Sequence, residues 1–209
     1  MTDTTQLDAW RGEFGDKYID RNESLTEVLR MRTRMWAEML KTTFGAEPES
    51  ILEVGCNIGL NLRAIDRLCA ATLHAVEPNA KARQRVLDDR VVADERLYNA
   101  TGQKLPFGAG EIDMVFSSGV LIHVHPDDLG TVADEMHRVS NRWILVAEYF
   151  STKPESIPLA AQHRVQRRHH PRRIVCRHVR EQRQAQCLRI ISSRTGRGLI
   201  AITPAIPRL

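Results

Sequence analysis

The 209 residues suffice for one α/β domain with a buried core, and they contain no apolar run long enough to cross a membrane. Residues 1–8 are polar and lack a secretion-signal pattern, so a cytoplasmic location is expected, and the four cysteines form no C-x-x-C pair that would indicate a zinc site or a disulfide framework. Charge is uneven, because residues 1–159 hold 18 basic and 25 acidic side chains, whereas residues 160–209 hold 12 arginines and one acid.

Residues 1–45 are predicted to form a lid and a helix. Three aromatic residues and two glycines between Asp8 and Asn22 predict a folded loop that packs on the rest of the chain. Two interpretations of this loop stay open, a hydrophobic patch that caps the next helix or a lid over a ligand site. Ser24 and Glu27 have the spacing of a capping box, so the next helix is expected to begin there and to run to about Phe44.

A short apolar run over 51–54 predicts a buried parallel strand, and apolar residues at helical spacing over 60–70 predict a helix. Gly55 and Gly59 stand between the two and permit a tight turn at which a ligand can approach the backbone. Glu77 ends the next predicted strand, 22 residues after Gly55, which is the distance expected of an acid that binds ribose hydroxyls. The alternative is an ordinary turn followed by a surface glutamate.

The order Glu53-x-Gly55-x-x-x-Gly59 differs from the dinucleotide fingerprint and resembles the first motif of class I S-adenosylmethionine-dependent methyltransferases. The resemblance implies a Rossmann-like α/β fold with a mostly parallel sheet, S-adenosylmethionine as the cofactor, a glycine turn at its methionine part and Glu77 at its ribose. Asn57 stands where many members have a glycine. The expected cofactor-binding residues are Glu53, Gly55, Asn57, Gly59, Glu77, Thr101, Gly102 and Ser118.

Three further strands are predicted over 96–100, 111–119 and 142–150, with a helix over 127–139 between the last two. Thr101 follows the first of these strands, where many class I members carry an acid that accepts a hydrogen bond from the adenine amino group. The carboxyl ends of the later strands bring His123 and Glu148 towards one cleft. His123 is the first candidate for a general base and Glu148 the second, and a structural role is the alternative for each.

A narrower resemblance covers residues 10–158. Gly12-Glu13-Phe14-Gly15-x-x-Tyr18-Ile19-x-Arg21-Asn22, Asn57-Ile58-Gly59-Leu60-Asn61-Leu62-Arg63-Ala64, Gly119-Val120-Leu121-Ile122-His123 and Ala147-Glu148-Tyr149 resemble the pseudaminic acid biosynthesis-associated methylases. This resemblance implies methyl transfer to a nonulosonic acid or a related sugar-type small molecule. Tyr18, Arg21 and Tyr149 are the expected substrate contacts.

The cofactor-binding core is assigned to residues 46–158, and the arginine-rich tail to 159–209. A class I methyltransferase should continue here with a helix and two strands, so C-terminal strands are expected to be lost or atypical. Three interpretations stay open: a shifted reading frame in the gene, an unusual or disordered subdomain, and a basic tail for RNA or an acidic partner. Nucleic acid is not the favoured partner. An RNA methyltransferase and a non-catalytic cofactor-binding protein with a defective C-terminus are the alternative functions.

Overall fold

The structure, a computed structural model, describes residues 5–21 and 26–148 and four strands farther along the chain, at 155–158, 165–168, 189–192 and 199–204. Side chains are described for 7–20 and 26–148. Among the described residues, no helix has the length and apolar character that a membrane crossing requires.

Five parallel strands form the centre of the molecule, in the spatial order β3-β2-β1-β4-β5. They are β1 (Ser50–Val54), β2 (Thr72–Val76), β3 (Leu97–Tyr98), β4 (Ile112–Ser118) and β5 (Ser140–Glu148). Their near-continuous apolar runs suit strands that are covered on both faces. The predicted parallel α/β sheet is therefore confirmed, although β3 is shorter than the predicted strand over 96–100.

Helices precede, connect and cover these strands. They are α1 (Thr5–Arg11), α2 (Glu13–Arg21), α3 (Thr26–Leu40), α4 (Leu60–Ile65), α5 (Ala80–Asp88) and α6 (Leu129–Val139). The prediction of a folded loop between Asp8 and Asn22 is wrong, because this segment forms α1 and α2 with a bend at Gly12. The aromatic side chains that suggested a loop are spaced at four residues, which places them on one side of consecutive helical turns.

Two strands of the tail extend the sheet beyond β5. β9 (Leu199–Pro204) pairs antiparallel with β5, and β8 (Arg189–Ser192) pairs with the outer edge of β9. A separate antiparallel pair joins β6 (Glu155–Pro158) to β7 (Val165–Arg168). Over these residues the C-terminal strands are present and not lost. The remainder of 159–209 lies outside the described residues, so its predicted origin in a shifted reading frame stays a prediction.

Two apolar layers bury the faces of the sheet. On one face Trp36 of α3 meets Phe116 of β4 edge to face, with ring centroids 4.5 Å apart, and both side chains are fully buried. On the other face Val132 and Met136 of α6 lie in one cluster with Val115 of β4. These layers hold the carboxyl ends of the strands in fixed positions, and the candidate site lies at those ends.

Replacing Phe116 by alanine should lower the free energy of unfolding by about 3–5 kcal/mol, because it removes a fully buried ring and leaves a cavity against Trp36. Phe44→Ala is the matched control, since Phe44 is 89% exposed and should change stability by less than about 0.5 kcal/mol. Urea titration of the three proteins measures both values. Equal losses in the two variants would contradict the assigned core.

Candidate active site

The turn after β1 takes a backbone conformation that few residues adopt. Gly55, Asn57 and Gly59 have φ values of 75°, 51° and 74°. Asn57 is tolerated in the left-handed region because its Oδ1 accepts a hydrogen bond from the backbone N–H of Ile58 at 2.7 Å. Gly55 and Asn57 line a cavity at the carboxyl edge of the sheet. Gly59 does not line it, and a Cβ there would lie 2.7 Å from the Val91 side chain, so Gly59 serves the turn itself.

Glu77 joins this turn to the end of β2. Its Oε2 accepts a hydrogen bond from the N–H of Asn57 at 2.8 Å, and its Oε1 accepts one from the N–H of Asn79 at 2.9 Å. The side chain is 7% exposed and lines the cavity, and burial raises its pKa despite those two donors. The predicted acid at the end of the second strand therefore does lie beside the glycine turn.

Glu53 lies at the other side of the same turn and is almost fully buried. Its Oε1 accepts a hydrogen bond from Asn61 Nδ2 at 2.6 Å, whereas its Oε2 is buried without a hydrogen-bond partner. Asn61 Oδ1 in turn accepts from Arg32 at 2.5 Å and from Trp36 Nε1 at 3.1 Å. Burial raises the pKa of Glu53 to about 8. An orphaned acceptor and a guanidinium thus meet at the wall of one cavity.

Arg32 and Asn61 were not predicted from the sequence as functional residues, yet both line the cavity. Arg32 lies on α3, 29 residues before Asn61, and the contact depends on how α3 packs against α4. The other predicted cofactor residues, Thr101, Gly102 and Ser118, also line the cavity. A Cβ at Gly102 would lie 2.9 Å from Val132, so glycine allows α6 to approach this loop closely.

The first two helices cover the cavity with aromatic side chains. The Trp10 ring lies 5.2 Å from that of Tyr18 and 4.3 Å from the imidazole of His123, measured between centroids. All three side chains line the cavity, so the lid interpretation of this segment is the one that the geometry favours. The side chain of Arg21 and all of Tyr149 lie outside the described residues, so their predicted substrate contacts stay predictions.

His123 ends a short 3-10 turn, Leu121–His123, that follows β4. Burial lowers the pKa of its imidazole to about 4, so the ring is neutral at pH 7 and can accept a hydrogen bond, but it is a weaker base than an ordinary histidine. Its position on the cavity wall beside Trp10 suits contact with an acceptor molecule. The first catalytic candidate therefore stays in place as a prediction with suitable geometry.

Glu148 does not line the cavity with His123. Its Oε1 accepts hydrogen bonds from the N–H groups of Val120 and Leu121 at 2.9 and 3.1 Å and from the Ser117 hydroxyl at 3.3 Å. The side chain is 3% exposed and lies beneath the loop that carries His123. These contacts make Glu148 a support for that loop, and they argue against its predicted role as a base.

Metal chemistry and thiol chemistry have no visible basis in the described part of the chain. There, no three His, Cys, Asp or Glu side chains are grouped as a metal site would need. Cys56 and Cys69 are both free thiols, and burial raises the pKa of Cys56 well above its ordinary value. A buried thiol of this kind is a poor nucleophile.

Comparisons with known proteins agree with this geometry. Residues 52–142 match the family model described as methyltransferase domain. No curated protein sequence matches the chain at a significant level. Among solved structures, magnesium protoporphyrin IX methyltransferase from Synechocystis PCC 6803 with bound SAM is similar at a TM-score of 0.66 and 12% identity, over 99% of this chain and 98% of that one.

A second similar structure is 1,6-didemethyltoxoflavin-N1-methyltransferase from Burkholderia thailandensis with bound S-adenosylhomocysteine, at a TM-score of 0.64 and 16% identity over 96% of this chain and 86% of that one. The [4+2]-cyclase SpnF is similar at 0.62 and 13% identity, over 85% and 82%. At such identities these structures show the class I methyltransferase fold, as predicted. The domain match, taken with that fold, supports an S-adenosylmethionine-dependent methyltransferase.

The support role of Glu148 predicts a pH dependence of stability. Burial raises its pKa from 4.5 to about 7, so between these values the native state keeps a proton that the unfolded chain releases. The stability of the wild type relative to Glu148→Gln should therefore fall by up to about 3 kcal/mol as the pH rises from 4.5 to 7.5. Urea titrations at several pH values measure this difference.

The exposed Glu95→Gln is the control, and its stability relative to the wild type should stay constant over the same range. A constant difference for Glu148→Gln as well would show that the Glu148 carboxyl titrates as it does in water.

Proposed function

We propose that this protein transfers the methyl group of S-adenosylmethionine to an oxygen or nitrogen of a sugar-type small molecule, such as a nonulosonic acid or a related intermediate. The observation that carries the proposal is that two walls of one cavity are lined by different kinds of side chain. One wall has the glycine turn with two buried acids, Glu53 and Glu77. The other has Trp10, Tyr18 and His123.

The first wall fits the cofactor. The unpartnered Oε2 of Glu53 suits a cationic amino group, and Arg32 beside it suits a carboxylate, so the pair would hold the amino-acid end of the cofactor. Glu77 would bind the ribose, because each of its oxygens uses one lone pair on a backbone N–H and keeps another for a hydroxyl. Thr101 and Ser118 line the same cavity and would contact the remaining part.

The second wall fits a sugar ring. Aromatic faces bind the C–H faces of sugars with little conformational cost, and Trp10 and Tyr18 present such rings together. The neutral imidazole of His123 lies against Trp10 and can accept a hydrogen bond from an acceptor hydroxyl or amine. The resemblance to pseudaminic acid biosynthesis-associated methylases over residues 10–158 supports the same class of acceptor.

The chemistry asks little of the protein beyond alignment. When bound, the cofactor supplies a methyl group that its sulfonium already makes electrophilic. The chain then has to place the acceptor atom in line with that methyl group and keep water out, which the lid of α1 and α2 can do. His123 would take the proton of a hydroxyl acceptor as a weak base with a pKa of about 4, whereas an amine acceptor needs no base.

Glu77→Gln should weaken S-adenosylmethionine binding by about 10- to 100-fold, because one carboxylate oxygen becomes an NH₂ group that faces a backbone donor. Isothermal titration calorimetry measures this, with the exposed Glu95→Gln as the control that should bind like the wild type. If the wild type itself shows no binding, the proposed cofactor is wrong.

Cofactor binding should also release a proton near pH 7. With a pKa of about 8, Glu53 is mostly protonated in the ligand-free protein, and a cation at Oε2 would favour its ionised form. Calorimetry in buffers of different ionisation enthalpy should therefore show a release that approaches one proton per site in the wild type. The release should be absent in Glu53→Gln, and a value of zero in the wild type would contradict this placement of the amino group.

Radiolabelled methyl transfer distinguishes the acceptor classes. Nonulosonic acids and nucleotide sugars should be labelled, whereas RNA should not, and labelling of RNA alone would favour the alternative that uses the basic tail. His123→Ala should then lower kcat by about 10²-fold or more for a hydroxyl acceptor while cofactor affinity stays unchanged. Unchanged turnover would remove His123 as the base.

A further inference from the structure

Asn79 connects the lid of α1 and α2, through its side-chain amide, to the cofactor turn, through its backbone N–H and Glu77; by cofactor turn we mean residues 55–59 together with Glu77, which accepts a hydrogen bond from their backbone. Asn79 lies two residues after Glu77 and is 3% exposed. Its Oδ1 accepts a hydrogen bond from the N–H of Ala82 at 2.8 Å and so caps α5. Its backbone N–H donates to Glu77 Oε1. The residue therefore touches the ribose-binding carboxylate and the start of the next helix.

The other end of the amide points to the N-terminal helices. Asn79 Nδ2 donates to the Trp10 carbonyl and to Asp16 Oδ1, each at 2.9 Å. A helix cap needs only the side-chain oxygen, so capping leaves these two bonds unexplained. One of these bonds reaches the carbonyl of Trp10, and the ring of Trp10 lies 4.3 Å from that of His123.

The local packing is built around this contact. A Cβ at Gly15 would overlap the Trp10 carbonyl and would lie 2.8 Å from Asn79 Nδ2, so only glycine lets α2 approach the amide. An exposed ion pair between Lys81 and Asp20 adds a second bond between α5 and α2, but exposed pairs contribute little. The buried amide is thus a polar connection between the lid and the segment that follows β2.

We propose that Asn79 is a positioning residue that latches the lid of α1 and α2 onto the cofactor turn, so that cofactor affinity and lid order depend on each other. The proposal rests on the proposed function for the identity of the cofactor, but the latch itself exists in the ligand-free protein. Because Asn79 contacts Glu77 and Trp10 at once, a displaced lid disturbs both the ribose site and the setting of His123.

Asn79→Asp tests the latch while it keeps the cap. Aspartate is as good an N-cap as asparagine, but its side chain has no N–H to donate, and it places a negative charge against Asp16. Amide hydrogen exchange over residues 5–21 should become at least tenfold faster, and the Kd for S-adenosylmethionine should rise at least tenfold. Exchange over 80–88, within the capped helix, should stay as in the wild type.

Asp16→Asn in the Asn79→Asp background is the rescue. The amide at position 16 can then donate to the carboxylate at position 79, which restores one of the two bonds, so about half of the lost affinity, on a logarithmic scale, and part of the exchange protection should return. Asp16→Asn alone should behave like the wild type, because an amide oxygen still accepts from Asn79 Nδ2. Failure of the double variant to recover would show that charge at position 79 harms the site without a latch.

Gly15→Ala reaches the same contact from the lid and guards against a folding defect of the Asn79 variant. It should reproduce the fast exchange over 5–21, whereas Gly130→Ala, which adds a methyl group in open space within α6, should not. Unchanged exchange in both Asn79→Asp and Gly15→Ala would overturn the latch. Loss of exchange protection without any binding of S-adenosylmethionine by the wild type would keep the latch and reject the proposed cofactor.

Discussion

Buried carboxylates at the carboxyl edge of the sheet hold the site together. Each parallel strand ends in a loop whose backbone N–H groups point away from the ladder and need acceptors. Glu77, after β2, accepts from the loop that follows β1, and Glu148, at the end of β5, accepts from the loop that follows β4. Each acid therefore fastens the loop of a neighbouring strand, and the sheet order determines which loops are joined.

This arrangement carries an electrostatic cost that a ligand can reduce. Glu53, Glu77 and Glu148 are all buried, and burial raises the pKa of each. Glu148 accepts three hydrogen bonds through Oε1, from Ser117 and from the loop that follows β4, whereas its Oε2 is buried without a partner, and the side chain lies away from the cavity wall. The two acids on the wall, in contrast, sit where a cationic or hydroxyl-bearing ligand would stabilise their charged forms. Glu53 and Glu77 thus form a preorganised site, and Glu148 supports the loop that carries His123 beside it.

The sequence predicted those features of the site that depend on short-range spacing. Gly55 and Glu77 belong to consecutive strand and turn units, so parallel pairing of β1 with β2 was enough to bring them together. The role of Glu148 was less predictable. The register of β4 against β5 decides whether its carboxylate lies in the cleft or under the loop that follows β4. The position of a residue at a strand end predicts the edge of the sheet at which its side chain lies, but it does not predict the path of the loop that covers this side chain.

Contacts between distant segments could not be read in this way. Trp10 reaches His123 and Arg32 reaches Asn61 only because α1 and α3 pack across the ends of the strands, and no local pattern encodes those crossings. The aromatic cluster between Asp8 and Asn22 indicated that the segment packs on something, yet its helical form followed from the four-residue spacing that the glycines obscured.

The fold alone does not determine the reaction that this protein catalyses, and the lid therefore matters for its function. The same fold carries methyltransferases and a [4+2]-cyclase, so the sheet and its glycine turn do not decide the reaction. In the proposed function, the wall that faces the acceptor is formed by Trp10 and Tyr18, which precede the methyltransferase-domain match over 52–142, and by His123, which lies within it. Asn79 bonds to the Trp10 carbonyl through its side-chain amide and to Glu77 through its backbone N–H, so the proposed acceptor wall is tied to the proposed donor site. Under the two proposals, a change of acceptor requires new lid residues that still accept a hydrogen bond from Asn79, and this requirement limits which lids the core can accept.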